Sequence, residues 1–167
     1  MGAMSLFVES PVTFEGDSLV NQVKWSEADP VGAMAASTLD DKDRESFQVF
    51  FLNTDGSLLK NVSVTHDREA TVMGWQPKSR ILAIGWGDGM LSCWSVDGRV
   101  RPSSTFSNSS HHNAAITTMQ WSPNGKRLVT GDRNGLVVVW AVDARGTLTA
   151  TRNYRKKGGV PALIFCA

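Results

Sequence analysis

Apolar residues in this chain come in short runs at strand spacing. Met119 and Trp121 stand two apart, as do Met73 and Trp75, and Val23 and Trp25. Alternate residues of an extended segment share a face, so each pair predicts a strand with one apolar side. After Trp121, Pro123-Asn124-Gly125 supplies turn chemistry, with a preset proline φ, a corner-tolerant asparagine and a closing glycine. Arg127–Thr130 then predicts a second strand and Gly131–Gly135 a glycine-rich corner. Leu136-Val137-Val138-Val139-Trp140 is apolar at every position, as in a strand buried on both faces. Residues 146–154 predict a polar outer strand. β-branched content, short runs and bounding glycines argue against helices.

The pattern repeats. Trp75 and Trp94 are 19 residues apart, as are Trp121 and Trp140. Laying Trp75 on Trp121 aligns 34 positions without a gap, and 12 are identical: His66/His112, Thr71/Thr117, Met73/Met119, Trp75/Trp121, Pro77/Pro123, Leu82/Leu128, Gly85/Gly131, Gly89/Gly135, Trp94/Trp140, Val96/Val142, Asp97/Asp143 and Arg99/Arg145. Unrelated segments would share about two. The period is 46 residues. A diverged earlier copy begins at Trp25, 50 residues before Trp75, with Phe50, Phe51 and Leu52 in its second-tryptophan region. Such a period fits four-stranded propeller blades and excludes leucine-rich or helical repeats of thirty-odd residues. One twisted sheet with two apolar faces cannot bury both, and radial stacking of like sheets can.

His112, Trp121, Ser122–Gly125, Thr130-Gly131, Gly135 and Trp140–Asp143 resemble a WD repeat. The resemblance implies a buried hydrogen-bond network tying each blade together. In the third copy it falls on His112, Thr130, Asn134 and Trp140, with Asn134 where the family usually has Asp. In the second it falls on His66, Asp88 and Trp94, with Ile84 in place of the hydroxyl residue. The Trp-Asp ending is altered to Trp-x-Val-Asp in both copies. The repeated histidines read as structural rather than catalytic, because each recurs at one offset instead of standing once at a unique site.

The expected fold class is all-β, a partial WD40-type β-propeller of about three and a half four-stranded blades. The copies centre on Trp25, Trp75 and Trp121. Residues 1–4 read as a cloning remnant before a native Met4, and 5–167 as one incomplete propeller domain. Ser5–Phe14 is expected to give an outer strand, and Val160–Phe165 the first strand of a fourth copy. That count implies a piece of a longer chain, and the apolar last residues suggest that two fragments could associate.

Composition narrows the chemistry. Seventeen Lys and Arg against sixteen Asp and Glu leave +1, so no overall basic field draws the chain to nucleic acid or anionic lipid. Cys93 and Cys166 lie in apolar runs and read as buried structural residues; they offer no disulfide framework, and with three histidines no zinc pair. No stretch reads as a membrane span or secretory signal, so membrane insertion is not expected and Asn61-Val62-Ser63 and Asn108-Ser109-Ser110 remain formal glycosylation acceptors. Gly85-Trp86-Gly87-Asp88-Gly89 lacks the Lys-Ser/Thr tail of a phosphate loop and reads as a strand corner. Asp40–Glu45 reads as an inserted surface loop and Ser103–His112 as a flexible connection. Arg155-Lys156-Lys157, beside Arg152 and Tyr154, could meet RNA or an acidic partner; a single short run on a nearly neutral chain reads as a solvated loop.

No catalytic, cofactor or metal site emerges, so the residues indicate a non-catalytic interaction scaffold. Residues 81–89, 116–125 and 130–135 are similar to the N-terminal propeller of the intraflagellar transport protein 140 family. That resemblance implies a subunit of transport complex A acting in retrograde ciliary and flagellar transport and in cargo entry. It implies location at the cilium or flagellum, basal body and cytoplasm, with other complex A subunits and ciliary membrane-protein cargo as partners. The alternative is a WD-repeat scaffold of another intracellular assembly such as a vesicle coat.

Overall fold

The computed structural model describes residues 18–39, 44–97, 99–106 and 111–163. They form twelve strands and no helix, in three four-stranded antiparallel sheets. Blade 1 holds β1 (Ser18–Trp25), β2 (Gly32–Leu39), β3 (Glu45–Leu52) and β4 (Leu58–His66). Blade 2 holds β5 (Ala70–Trp75), β6 (Ile81–Trp86), β7 (Leu91–Val96) and β8 (Val100–Phe106). Blade 3 holds β9 (Ile116–Trp121), β10 (Arg127–Asp132), β11 (Leu136–Val142) and β12 (Leu148–Arg155). Strands are hydrogen-bonded in sequence order within each blade. This is the propeller architecture expected from the repeat.

The register explains how far the first copy has diverged. Trp75 pairs with Leu82, which pairs with Trp94; Trp121 pairs with Leu128, which pairs with Trp140. In blade 1 the same rung reads Trp25, Gly32, Leu52. Leu52 thus stands at the second-tryptophan position. Gly32 stands at the leucine position, where a Cβ would lie 3.0 Å from the Trp25 ring. Glycine leaves room for the indole to lie across the sheet.

Blade 2 buries both faces, and β6 shows how. Its six residues are all buried. Leu82 and Ile84 join Val49, Phe51 and Val64 of blade 1 in one core, with the Phe51 and Trp75 rings edge to face at 6.4 Å. Ile81 and Ala83 point the other way, into a second core with Ile116, Leu128, Val138 and Trp140 of blade 3. Cys93 is buried in that second core, where burial alone pushes its thiol up to about 12 and makes it inert. Blade 1 leaves Leu19, Val20, Val23 and Trp25 exposed among the described residues.

Polar stitches repeat between neighbouring blades. The Trp75 indole donates to the carbonyl of Lys24 at 2.9 Å, and that of Trp121 to the carbonyl of Gly74 at 3.0 Å. Each acceptor is the residue just before the first-strand tryptophan of the preceding blade. Thr71 lies 2.9 Å from the Gly85 carbonyl and 2.6 Å from that of Ile116. Thr117 repeats this with the Gly131 and Val160 carbonyls, at 3.4 and 2.9 Å. Val160 therefore holds, relative to blade 3, the place that Ile116 holds relative to blade 2. Residues 160–163 carry no strand, and the rest of the expected fourth-copy strand lies outside the described residues, as do Cys166, Ser5–Phe14, the remnant at 1–4 and Asp40–Asp43.

Candidate interaction surface and the buried networks

In blade 3 the polar chain runs through the core. His112 is 1% exposed, and Thr130, Asp132 and Trp140 are fully buried. His112 Nδ1 lies 3.0 Å from the Asp132 carboxylate, and its Nε2 lies 2.7 Å from the Thr130 hydroxyl. The Trp140 indole donates to the same hydroxyl at 2.9 Å. One proton assignment satisfies every group. The indole N–H donates to Thr130, the Thr130 O–H donates to Nε2, and a neutral imidazole donates its Nδ1–H to Asp132. Burial lowers the His112 pKa more than the Asp132 hydrogen bond and charge raise it, in keeping with the neutral ring.

Asn134 is not in this chain, which corrects the sequence expectation. It sits two residues on, in the exposed corner, with its side-chain amide 3.5 Å from Asn113 Oδ1. The acid is Asp132, the last residue of β10, whose side chain turns inward before the chain bends. Its Oδ1 also accepts the Asn134 and Leu136 amides, each at 2.9 Å, so one carboxylate serves both the network and the corner. The only sequence signal was that Asp132 adjoins Thr130-Gly131, while the family pattern pointed two residues further.

Blade 2 divides these roles. His66 Nε2 meets Asp88 at 3.0 Å, and the His66 ring packs on Trp86 with centroids 4.5 Å apart. Asp88 also accepts the Met90 amide at 2.9 Å. Ile84 leaves no hydroxyl on β6, so the Trp94 indole turns to Ser92 on its own strand, 3.0 Å away. Ser92 accepts the Trp86 indole as well, at 2.9 Å. Trp86 stands at the repeat position of Asp132. Replacing that acid by an indole removes the inward carboxylate and leaves Asp88 to meet the histidine. Residues 86–89 form the tight β6–β7 corner, with Gly89 at φ 91°.

These networks face inward, so contact with other molecules falls to the rims and outer edges. Between blades 1 and 2, loops at one rim frame a cleft of about 340 Å³, with Val31, Leu59, Val96 and Val100 among its apolar lining. Arg80 crosses it to Asp29, 2.9 Å away. The next groove on that rim, about 880 Å³ between blades 2 and 3, carries Arg80, Arg101 and Arg145 with Asp29 and Asp97. A third cleft, about 490 Å³, lies against Trp25, Trp75 and Trp121 with Pro77 and Pro123. The first two grooves carry charged, hydroxyl and aliphatic side chains, and the third is lined mainly by tryptophan, methionine and proline. Among the described residues no three His, Cys, Asp or Glu side chains gather as metal ligands, and no helix is long and apolar enough to cross a membrane.

Known proteins share this architecture. The family described as IFT140 first beta-propeller matches residues 5–163. No curated protein matches the chain. Among solved structures, one titled as the crystal structure of the mitotic checkpoint complex superposes with a TM-score of 0.69 at 16% identity, over 89% of this chain and 42% of that one. A structure of the Dos1 propeller gives 0.65 at 18% identity, over 86% and 35%. Sqt1 from Chaetomium thermophilum gives 0.64 at 16% identity, over 85% and 38%. The chain spans about two fifths of the length of these structures. At such identities they speak for the fold alone.

Proposed function

We propose, from the premise that this chain belongs to the IFT140 first beta-propeller family, that it serves in intraflagellar transport complex A. It is a propeller scaffold for protein contacts, and the finer reading makes those contacts other complex A subunits and ciliary membrane-protein cargo. The role is retrograde transport and cargo entry at the cilium or flagellum. The observation that carries this reading is the family match over residues 5–163.

The architecture supports it physically. Buried polar groups are committed to holding blades, while the loops at the rims present grooves of mixed character on a rigid framework. Propeller families of this kind are generally non-catalytic, and the best-formed polar cluster, around His112, is sealed from substrate. The test is affinity purification of the tagged protein from ciliated cells. Co-purification of complex A subunits in constant ratio, lost when the propeller is deleted, is the expected result. Recovery of vesicle-coat subunits instead would overturn the transport assignment and leave the scaffold reading standing.

A further inference from the structure

The outer edge of blade 3 differs in charge from the rest of the molecule. From Arg133 to Leu163 the chain has six basic residues and one acid, Asp143. That acid accepts the Arg145 and Thr147 amides, each at 2.8 Å, in the β11–β12 turn at the far end of the strand. Arg152 and Arg155 lie on β12, Lys156 and Lys157 follow it, and all four are exposed. Tyr154, among them, is 52% exposed.

Arg152 and Arg155 project from strand β12, whereas Lys156 and Lys157 lie in the exposed segment after it, as the sequence suggests, and that segment's main chain is pinned. The Lys156 amide donates to the Gly135 carbonyl at 2.7 Å, and the Val160 amide to the Asp132 carbonyl at 3.1 Å. Arg155 is the last paired residue of β12, opposite Leu136. Among the described residues β12 is also an edge, hydrogen-bonded within the blade only to β11. Its outward N–H and C=O groups form a template for one more strand.

We propose that this edge receives an extended acidic polypeptide segment as a fifth strand. Main-chain bonds to β12 would supply register, and its carboxylates would pair with Arg152, Arg155, Lys156 and Lys157. Charge selects the partner. A second copy of β12 would bring like charges face to face, which is unfavourable across a strand pair. Nucleic acid would meet the charge but leave the strand's main-chain groups unanswered. The pinned backbone lowers the ordering cost of binding. The proposal stands apart from the transport role and would hold in any assembly.

The test is fluorescence anisotropy of the full chain with a labelled ten-residue peptide repeating Glu-Glu-Val, which places carboxylates on both faces of the added strand, as Arg152 and Arg155, three residues apart, require. Binding should weaken steeply with salt, and Arg152→Glu combined with Arg155→Glu should weaken it by about tenfold or more. A peptide of the same charge, N-methylated at alternate amides, should also bind about tenfold more weakly, because it has lost strand donors while the protein is unchanged. Equal affinity for the methylated peptide, indifference to the charge reversal in a variant of unaltered melting temperature, or tighter binding to single-stranded RNA or anionic phospholipid vesicles would each overturn the proposal.

Discussion

His112 shows how a single side chain couples blade integrity to pH. Its folded pKa lies below the ordinary value of about 6.5 because burial disfavours the imidazolium. Near that pH the unfolded chain therefore binds more protons than the folded one, and stability rises with pH. The contribution is fully present above the unfolded value and declines as pH falls through it toward the folded pKa. Melting temperature followed from pH 7.5 down to 5 should fall, and His112→Asn should remove part of that slope. The variant should also be less stable near neutrality by about 1–3 kcal/mol, because Thr130 and Asp132 lose their partner. Peptide and subunit binding should survive, since nothing at His112 reaches the surface. An unchanged slope in the variant would contradict the neutral, buried assignment. The resemblance to a WD repeat brings His112, Thr130 and Trp140 together; the internal repeat alone marks only His112 and Trp140, since Thr130 corresponds to Ile84. Neither could select Asp132 over Asn134. That choice depends on where β10 ends: Asp132 is still in the strand and shares the inward face with Thr130, two residues back, whereas Asn134 lies beyond it in the exposed corner.

At the scale of strands and corners, the two best copies were legible because their strands alternate cleanly and their corners carry glycine. The first copy was harder. Its middle rung, Trp25–Gly32–Leu52, uses small and aliphatic residues where the others use leucine and tryptophan, and only the pairing reveals the correspondence. Val160 was legible only as the head of an apolar run; its place at the blade 3 seam comes from the Thr117 contact, and residues 160–163 carry no strand. Gly131 is the sharpest test of that seam. A Cβ there would stand 2.7 Å from Val160 Cβ and 2.9 Å from Thr118 Cγ2, and at the repeat-equivalent Gly85 one would stand 2.9 Å from Ile116 Cβ. Gly131→Ala and Gly85→Ala should each destabilise by about 1–3 kcal/mol, because backbones must part to admit the methyl group. The check is chemical denaturation. The Gly85 variant should loosen the blade 2–blade 3 seam, seen as faster amide exchange in β9. Neutral behaviour of both would show that the strands do not approach so closely.

The described residues form a row of like blades, each too thin to bury its faces alone, with the same indole-to-carbonyl bond at both blade junctions. Polar groups inside this frame hold structure, which leaves the rims and the β12 edge for recognition. That division explains why the fold could be read from periodicity while partners could not. Blade strands answer to a repeat, whereas the rim residues Arg80, Arg101 and Arg145 stand on loops and strand ends, where spacing says nothing about which charges meet. Hydrogen exchange of the six indole N–H groups, followed by NMR, reads out whether an indole-to-carbonyl bond joins neighbouring blades. Trp75 and Trp121 bond into the preceding blade and are nearly buried, whereas Trp25 is 49% exposed. The Trp75 and Trp121 protons should exchange together, far more slowly than that of Trp25. Exchange of either as fast as Trp25 would contradict that bond.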